Sequence, residues 1–358
     1  MTFEEARAQF PVFERFAYLN AGTNGPLARA TIQAMDLSFR RDLEQGRGGK
    51  PYIEEVLALR VRAREALATV LEVSAERVAL VSSTTNACNV VVAGLDLGPE
   101  DEIVTTDVEH FGLLGPVLAS PARVRVARVR ELPPTEAAAA ILAVVTKRTR
   151  LIAISEVSWI TGNSLDPHAV KAGTDAPVLV DGAQSVGAIR TEAEAFDFYT
   201  VSAQKWLCGP DATGALHVRD PERLRVALPT YMSQEEYDFE SFTPKAGAAR
   251  FDSVWLPPAS LAGLLAALAV APEGRYRRTV EMANDCRDRL DRLGYELVTA
   301  PGQAGLVSFV PQGDAAEIAA RLYERGVVVR DLPATGWIRV SCGWWTNDDD
   351  LERLVEGI

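Results

Sequence analysis

Lysine is scarce in this chain, and one lysine stands where it could act as a nucleophile. Among 37 lysine and arginine residues the lysines are Lys50, Lys147, Lys171, Lys205 and Lys245. An amine can lose its proton and attack a carbonyl group, which a guanidinium cannot do. Lys205 follows the β-branched run DFYTVSA and precedes the apolar pair WL, which predicts a partly desolvated amine suited to a Schiff base. A solvated surface lysine is the alternative, but it does not explain why lysine rather than arginine occurs here.

Two other reactive or binding groups stand at the ends of predicted strands. Asp181 ends the run APVLVD, 205 − 181 = 24 residues before Lys205. A carboxylate there could keep a pyridinium nitrogen protonated and make such a ring an electron sink, although Asp-Gly is also a common turn. Thr84, Thr85 and Asn86 follow the run VALVSS and open an apolar helix. Hydroxyls and free N–H groups at a helix N-terminus favour a phosphate seat, with a plain N-cap as the alternative.

One histidine and two arginines complete the candidate groups. His110 follows the run EIVTTD and could stack on a planar cofactor, or it could be an ordinary core histidine. Arg330 and Arg339 fall on neighbouring predicted strands in VVVRDLPATGWIRVSC. A guanidinium fork can bind a substrate carboxylate in bidentate fashion. In so arginine-rich a chain, the alternative for either residue is an ordinary surface position.

The segments that carry these residues have the pattern of an α/β domain with a mostly parallel sheet. From about residue 77 to 218, helical or loop segments alternate with the β-branched runs RVALVSS, EIVTTD, RVRVARV, LIAISEV, APVLVD, DFYTVSA and GALHVRD. After Arg250 the strands ELVTA, GLVSFVP, VVVRDL and WIRVSC alternate with helices, which predicts a smaller α+β domain. The predicted division is an N-terminal segment (1–15) that packs with the small domain, a large domain (16–250) and a small domain (251–358).

Composition narrows the classes of partner. At 358 residues, with 47% hydrophobic and 24% charged residues, the chain is large enough for two globular domains. Its net charge of -12 argues against nucleic-acid and membrane surfaces, which need a basic footprint. No long apolar run or signal core is found, so a cytoplasmic protein is expected. No metal site or disulfide framework is indicated by the spacing of Cys88, Cys208, Cys286 and Cys342.

Taken in order, the motifs TTN, EH, DGAQ and SAQKWLCGP resemble those of the class V aminotransferase family. These are fold-type-I enzymes that depend on pyridoxal phosphate (PLP), and they include cysteine desulfurases, C–S lyases and isopenicillin N epimerase. The resemblance runs from YLNAGTNGPL at Tyr18–Leu27 to RVSC at Arg339–Cys342. It implies the PLP-dependent transferase fold, PLP as the cofactor and an amino acid as the substrate. It also implies a homodimer whose partner subunit helps to close the site, with residues 233–243 as candidates for crossing over.

The resemblance implies a cofactor role for several residues. Lys205 would form the Schiff base with PLP, and Asp181 would pair with the pyridine nitrogen. Gln184 would contact the phenolic oxygen of the ring, and His110 would stack on the ring. The phosphate would be held by Thr84, Thr85 and Ser202. Gln204 departs from the family pattern, because the residue before the lysine is usually a histidine; a glutamine amide can still donate a hydrogen bond.

Substrate contacts are implied in the same way. Arg339 matches the carboxylate-binding arginine of the family, Arg330 is a second candidate, and Asn20 lies in the N-terminal active-site segment. The segment SEVSWITGNSLDP carries Trp159 where desulfurases usually have asparagine, and it looks most like the cysteine/cystine C–S lyase branch. Trp159 would border the substrate or serve core packing.

Three functional hypotheses follow. The leading one is a C–S lyase that catalyses β-elimination on cystine, cysteine or a related S-substituted amino acid, with Lys205 taking the Cα proton. Desulfurases carry a nucleophilic cysteine between the segments that match VVVR and WIRVS, where this chain has only DLPATG, so persulfide transfer from a protein thiol is not expected. The alternatives are an aminotransferase or epimerase on the same scaffold and, because of Gln204, a non-catalytic PLP-binding regulatory protein.

Overall fold

The computed structural model describes residues 1–237 and 239–358. Its strands are β1 (Ala17–Tyr18), β2 (Val78–Val81), β3 (Glu102–Thr106), β4 (Arg123–Ala127), β5 (Thr149–Ser155), β6 (Val178–Asp181), β7 (Phe198–Ser202), β8 (Gly214–Val218), β9 (Glu296–Leu297), β10 (Leu306–Val310), β11 (Val327–Val328), β12 (Arg330–Asp331) and β13 (Ile338–Ser341). Its α-helices are α1 (Phe3–Arg7), α2 (Arg29–Gln45), α3 (Gly49–Leu71), α4 (Thr84–Gly94), α5 (Phe111–Ala119), α6 (Pro134–Ala143), α7 (Pro167–Ala172), α8 (Pro258–Val270), α9 (Arg275–Arg292), α10 (Ala315–Glu324) and α11 (Asp348–Gly357).

The largest sheet has the strand order β2-β8-β7-β6-β5-β3-β4. Strand β8 runs antiparallel to both its neighbours, and the other pairings are parallel. Most of these strands are buried along their whole length, because apolar clusters cover both faces of the sheet. The predicted α/β class with a mostly parallel sheet is therefore confirmed.

This topology gathers the candidate residues at one edge of the sheet. Parallel strands present their carboxyl ends together, and the segments after β2, β3, β5, β6 and β7 all begin at that edge. Each of the seven predicted runs from residue 77 to 218 contains one strand of this sheet. The chain positions at which strands end thus determine which side chains meet.

The C-terminal part forms a second, antiparallel sheet in the order β12-β13-β10-β9. Helices α9, α10 and α11 supply buried residues to the same apolar cluster as its strands. The predicted strand VVVRDL is divided here, because Val327–Val328 pair in parallel with Ala17–Tyr18 whereas Arg330–Asp331 pair with β13. The N-terminal strand β1 is thereby attached to the C-terminal part.

The N-terminal segment also contacts the C-terminal part. Arg7 binds the Asp350 carboxylate at 2.8 Å, and the Phe10 ring lies 5.8 Å from that of Trp344. Helix α8 packs instead with the core of the large sheet, to which it contributes Leu261 and Leu264. The division at residue 251 stays a prediction, and the packing of α8 favours a later boundary. None of the described helices combines the length and apolar character needed to cross a membrane.

Candidate functional site

A cavity that is open to solvent lies at the carboxyl edge of the large sheet. It brings together the predicted residues Thr84, Thr85, His110, Trp159, Asp181, Gln184, Ser202, Gln204 and Lys205. Sequence reasoning missed further lining residues, namely Ser83, Gly112, Ser155, Val157 and Ala183. Three predicted residues, Asn20, Arg330 and Arg339, do not line this cavity, although Arg339 contacts the lining residue Trp159.

One end of the cavity is formed by the start of helix α4. The Ser83 side chain caps the helix by accepting the N–H of Asn86 at 3.1 Å. Thr84 Oγ1 and Ser202 Oγ lie 2.7 Å apart and both side chains are buried. The first N–H groups of a helix lack intrahelical acceptors, and the helix dipole favours an anion there. Two hydroxyls and a helix N-terminus therefore form a seat for an anionic group.

Close approach at this end requires a glycine. A Cβ atom added to Gly112 would lie 2.8 Å from Thr85 Oγ1, so a larger residue would displace the exposed Thr85 hydroxyl. The same Gly112 donates its N–H to His110 Nδ1 at 3.0 Å, which caps helix α5. His110 and the anion seat are thus held in one arrangement.

Lys205 and Asp181 face the middle of the cavity. Burial lowers the pKa of Lys205 to about 8, against the opposing charge of Asp181 and with a smaller contribution from Arg339. Asp181 Oδ1 accepts the N–H of Ala183 at 2.9 Å. The Lys205 backbone is tightly enclosed, since a Cβ at Gly25 would lie 2.0 Å from its carbonyl oxygen. The site therefore holds an amine that can be neutral near physiological pH beside a carboxylate.

Gln184 lines the cavity, and its amide is held by two partners that do not. Its Nε2 donates to the Gly22 carbonyl at 2.9 Å, and its Oε1 accepts the indole N–H of Trp206 at 3.0 Å. Gln184 and Trp206 are both buried. One amide hydrogen of Gln184 remains for an acceptor in the cavity.

His110 and Trp159 both line the cavity. Their rings meet edge to face with centroids 5.1 Å apart. Partial burial and the charge of Lys205 lower the pKa of His110, which favours a neutral imidazole. The indole nitrogen of Trp159 is buried and has no hydrogen-bond partner among the described residues. A neutral aromatic pair is suited to cover a planar ring or the apolar part of a ligand.

Gln204 carries another unsatisfied group, because its buried Oε1 lacks a partner in the described part of the chain. A half rotation of the amide would present its two N–H donors at the same place. Unpaired buried polar atoms are uncommon in folded proteins, so this amide is a candidate for contact with a bound group.

Arg339 lies beside the cavity and is almost fully buried. Burial, followed by the charge of Arg330, lowers its pKa to about 9. Its Nη1 donates to the Trp159 carbonyl at 2.9 Å and its Nη2 to Thr23 Oγ1 at 3.2 Å. Nε is buried without a partner among the described residues. Since a guanidinium has five N–H donors, three remain for a carboxylate.

The N-terminal segment holds Arg339 from the other side. Asn20 pairs with Ser341 in a parallel bridge, and its Oδ1 accepts the Thr23 hydroxyl at 2.8 Å. A Cβ at Gly22 would lie 2.9 Å from Arg339 Nη2. Asn20 therefore acts on the arginine through Thr23. Thr23 was not singled out from the sequence, although the small residues of AGTNG signal a close approach.

The chain as a whole matches a family of known enzymes. Residues 17–354 match the family model described as "Aminotransferase class-V". Isopenicillin N epimerase of Streptomyces clavuligerus is 30% identical, over 99% of this chain and 97% of its own length. A cysteine desulfurase of Klebsiella pneumoniae subsp. pneumoniae is 28% identical, over 100% of this chain and 98% of its own.

The solved protein C-DES has the same architecture. A lysine-to-alanine mutant of C-DES, with glycine covalently linked to the PLP cofactor, matches with a TM-score of 0.91 at 27% identity, covering 98% of both chains. The complex of C-DES, described as a cystine C–S lyase, with its reaction product cysteine persulfide gives 0.90 at 26% identity, covering 97% of this chain and 98% of the other.

The sheet topology and the site define a fold-type-I enzyme, and this chain belongs to the class V aminotransferase family. It is accordingly a PLP-dependent enzyme. The residues present fit that cofactor, because the cavity offers an amine, a carboxylate, an anion seat and a neutral aromatic group within one space. The predicted family, fold and cofactor are confirmed, whereas the roles of individual residues stay predictions.

Proposed function

We propose that this protein is a carbon–sulfur lyase that catalyses β-elimination on cystine or a related S-substituted amino acid. The observation that carries the proposal is the Lys205 amine, which lines the cavity with Asp181 and whose pKa burial lowers to about 8. An amine that is both nucleophile and base must lose its proton near neutral pH. The similarity to C-DES supports the choice of a sulfur-containing substrate.

Binding of the cofactor would use both ends of the cavity. Thr84, Thr85, Ser202 and the N-terminus of α4 would hold the phosphate, with an N–H of Gln204 as a further donor. Asp181 would accept the pyridinium N–H, and His110 would cover the ring. When bound, PLP supplies an electron sink conjugated to the Cα atom of the substrate.

The substrate would be oriented by its carboxylate. Arg339 has three N–H donors without acceptors among the described residues, and its partners Trp159 and Thr23 fix the plane of the guanidinium. A planar fork binds a carboxylate in a defined direction, which would place Cα near Lys205. Arg330, opposite Arg339 on the neighbouring strand, would add a second positive charge.

Lys205 would act as the base. Its neutral amine accepts the Cα proton, the Cβ–S bond breaks, and the sulfur leaves with the bonding electrons. In the overall reaction, cystine and water give pyruvate, ammonia and cysteine persulfide. No external oxidant or reductant is required, because the leaving sulfur carries away the electron pair.

The positions of the cysteines favour release of the sulfur product over its transfer to a protein thiol. Cys88, Cys208, Cys286 and Cys342 are free, buried and absent from the lining of the cavity. Burial raises the pKa of Cys88 and Cys208, which keeps these thiols protonated and weakly nucleophilic. None of the four cysteines is therefore placed to carry sulfur as a persulfide, as a desulfurase mechanism would require.

The first test is pyruvate formation from L-cystine by the purified, PLP-loaded protein. We expect pyruvate from the wild type and none from Lys205→Ala. Lys147→Ala, at an exposed lysine, is the matched control and should keep the wild-type rate. A wild type that loads PLP and binds L-cystine without forming pyruvate would refute the lyase.

An epimerase is the second candidate, because isopenicillin N epimerase is 30% identical over nearly the whole chain. Both reactions begin by removal of the Cα proton, but an epimerase returns a proton to the opposite face. Exchange of the Cα hydrogen in D₂O without loss of sulfur would support the epimerase. Consumption of a keto acid would instead point to transamination.

We further propose that the protein is a homodimer. Helix α2 exposes Leu37, Phe39 and Leu43, of which Leu43 is 85% exposed, and helix α3 exposes Ile53 and Leu57. Exposed apolar surface of this extent is typical of protein interfaces. Sedimentation equilibrium of the wild type against Leu37→Asp/Leu43→Asp tests the assignment: a monomeric wild type would contradict it.

The segment 233–243 is the candidate that would reach the partner's site. It exposes Tyr237 and Phe239, and Phe239 is 91% exposed; Asp238 lies outside the described residues. The four free cysteines support a reducing compartment such as the cytoplasm. Cell fractionation checks that location.

A further inference from the structure

We propose that Trp206 is a positioning residue that fixes the amide of Gln184 so that it offers an N–H, rather than its carbonyl, to the cofactor ring. The inference rests on the cofactor placement proposed above. Trp206 does not line the cavity, and its indole acts from behind the cavity wall through Gln184.

The two partners of Gln184 define the direction of its amide. An indole N–H can only donate and a backbone carbonyl can only accept. The donor, Trp206 Nε1, lies 3.0 Å from Oε1 of Gln184, and the acceptor, Gly22 O, lies 2.9 Å from Nε2. A reversed amide would set its NH₂ group against the Trp206 N–H, donor against donor. It would also set its oxygen against the Gly22 carbonyl, acceptor against acceptor. Since all three groups are buried, neither mismatch could be relieved by water.

Trp206 is itself held in place by the C-terminal part of the chain. Only 2% of Trp206 is exposed, and a Cβ atom at Gly305 would lie 2.6 Å from the indole. The ring centroid of Trp345 is 6.5 Å away. Backbone and aromatic rings that surround the indole leave it little freedom to turn away from Gln184.

The consequence is a defined charge preference at the cavity wall. The second N–H of Gln184 would stabilise an anionic oxygen on the cofactor ring, whereas a carbonyl oxygen there would repel it. A donor to that oxygen lowers the pH at which the bound cofactor loses its proton. Loss of the Trp206 N–H should therefore raise this pH, because only the Gly22 carbonyl then opposes reversal of the amide.

The test is an absorbance titration of the PLP-loaded protein against pH, with no substrate present. We expect Trp206→Phe to raise the midpoint of the visible transition by about 0.5–1 unit relative to wild type. Gln184→Leu should raise it at least as far. The double variant should match Gln184→Leu alone, since Trp206 acts through Gln184 and the two effects are not additive.

Trp344→Phe is the matched control, because Trp344 lies in the same buried aromatic cluster and does not contact Gln184. It should leave the midpoint unchanged, and thermal unfolding of each variant checks that the fold is retained. An unchanged midpoint in Trp206→Phe, or additive shifts in the double variant, would overturn the inference while the cofactor site stands. If Lys205→Ala kept the visible absorbance band of the wild type, the proposed cofactor site would be overturned, and this inference with it.

Discussion

Arg330 and Arg339 lie directly opposite each other on the antiparallel strands β12 and β13. Like charges in opposite positions destabilise a strand pair, and the charge of Arg330 adds to burial in lowering the pKa of Arg339. Within the described residues neither guanidinium forms an ion pair with a carboxylate, although other arginines, such as Arg60, Arg64 and Arg148, do. A bound carboxylate would reduce this repulsion, which supports the proposal that the pair binds the carboxylate of an amino acid.

Replacement of these arginines by lysine should separate their roles. Arg339→Lys keeps the charge but loses the fork, so we expect KM for the amino acid to rise roughly 10-fold to 100-fold, as for the loss of a charge-assisted hydrogen bond. Arg330→Lys should change KM less, because Arg330 is only half-buried. PLP loading should be unchanged in both. Equal effects of the two substitutions, measured by steady-state kinetics, would contradict this assignment.

The pH at which Lys205 becomes reactive follows from its surroundings. Burial brings its pKa down from 10.5 to about 8, so the fraction of neutral amine rises with pH through that value. The rate at which PLP binds covalently to the apoprotein should therefore increase with a midpoint near 8, as followed by absorbance. Lys205→Arg should show no such reaction, because a guanidinium cannot form a Schiff base. A midpoint near 10.5 would indicate an ordinary exposed lysine.

Strand-end reasoning brought three candidate residues to one cavity. Asp181 ends strand β6, whereas Thr84 and Lys205 follow β2 and β7, and parallel strands bring their carboxyl ends to one edge irrespective of the loops between them. The local pattern of alternating β-branched runs was sufficient for this step. Position relative to a strand was therefore readable from the sequence.

Partnerships between distant segments were not readable in the same way. Trp206 meets Gln184, and Arg339 meets Thr23 across 316 residues of chain. The attachment of β1 to β11 divided a predicted strand for the same reason. Such contacts depend on how whole elements pack, which neither periodicity nor motif spacing specifies. The close approach that Gly22 permits is visible only once Arg339 is in place.

The hydroxyl groups of Thr84 and Ser202 should contribute measurably to the affinity of the protein for PLP. Thr84→Val removes one hydroxyl with little change in volume, so the dissociation constant of PLP should rise about 5-fold to 10-fold, corresponding to about 1 kcal/mol. Thr105→Val is the matched control, because Thr105 Oγ1 is buried, unpaired within the described residues and outside the cavity. Fluorescence titration of the apoproteins compares them. Equal affinity in Thr84→Val and wild type would remove Thr84 from the phosphate seat.

The buried carboxyl of Glu109, which precedes His110, should make the stability of the fold depend on pH. Its carboxyl accepts hydrogen bonds from Ser155 N at 2.9 Å and from Thr106 Oγ1 at 2.7 Å. Burial outweighs these bonds and raises its pKa from 4.5 to about 7. The folded protein therefore keeps the proton where the unfolded chain has lost it. The free energy of unfolding should fall as pH rises from about 4.5 to about 7, by about 3 kcal/mol from this group.

Glu109→Gln should abolish this part of the pH dependence. The glutamine Oε1 can still accept from Ser155, and its amide can donate to Thr106, whose hydroxyl then accepts. Urea unfolding at pH 5 and pH 8 should show wild type losing about 3 kcal/mol more than the variant between the two conditions. Glu324→Gln, at an exposed site on α10, should follow wild type. Parallel pH curves for wild type and Glu109→Gln would mean that Glu109 is already ionised below pH 5, and that the hydrogen bonds from Ser155 N, Ser155 Oγ and Thr106 Oγ1 outweigh the effect of burial.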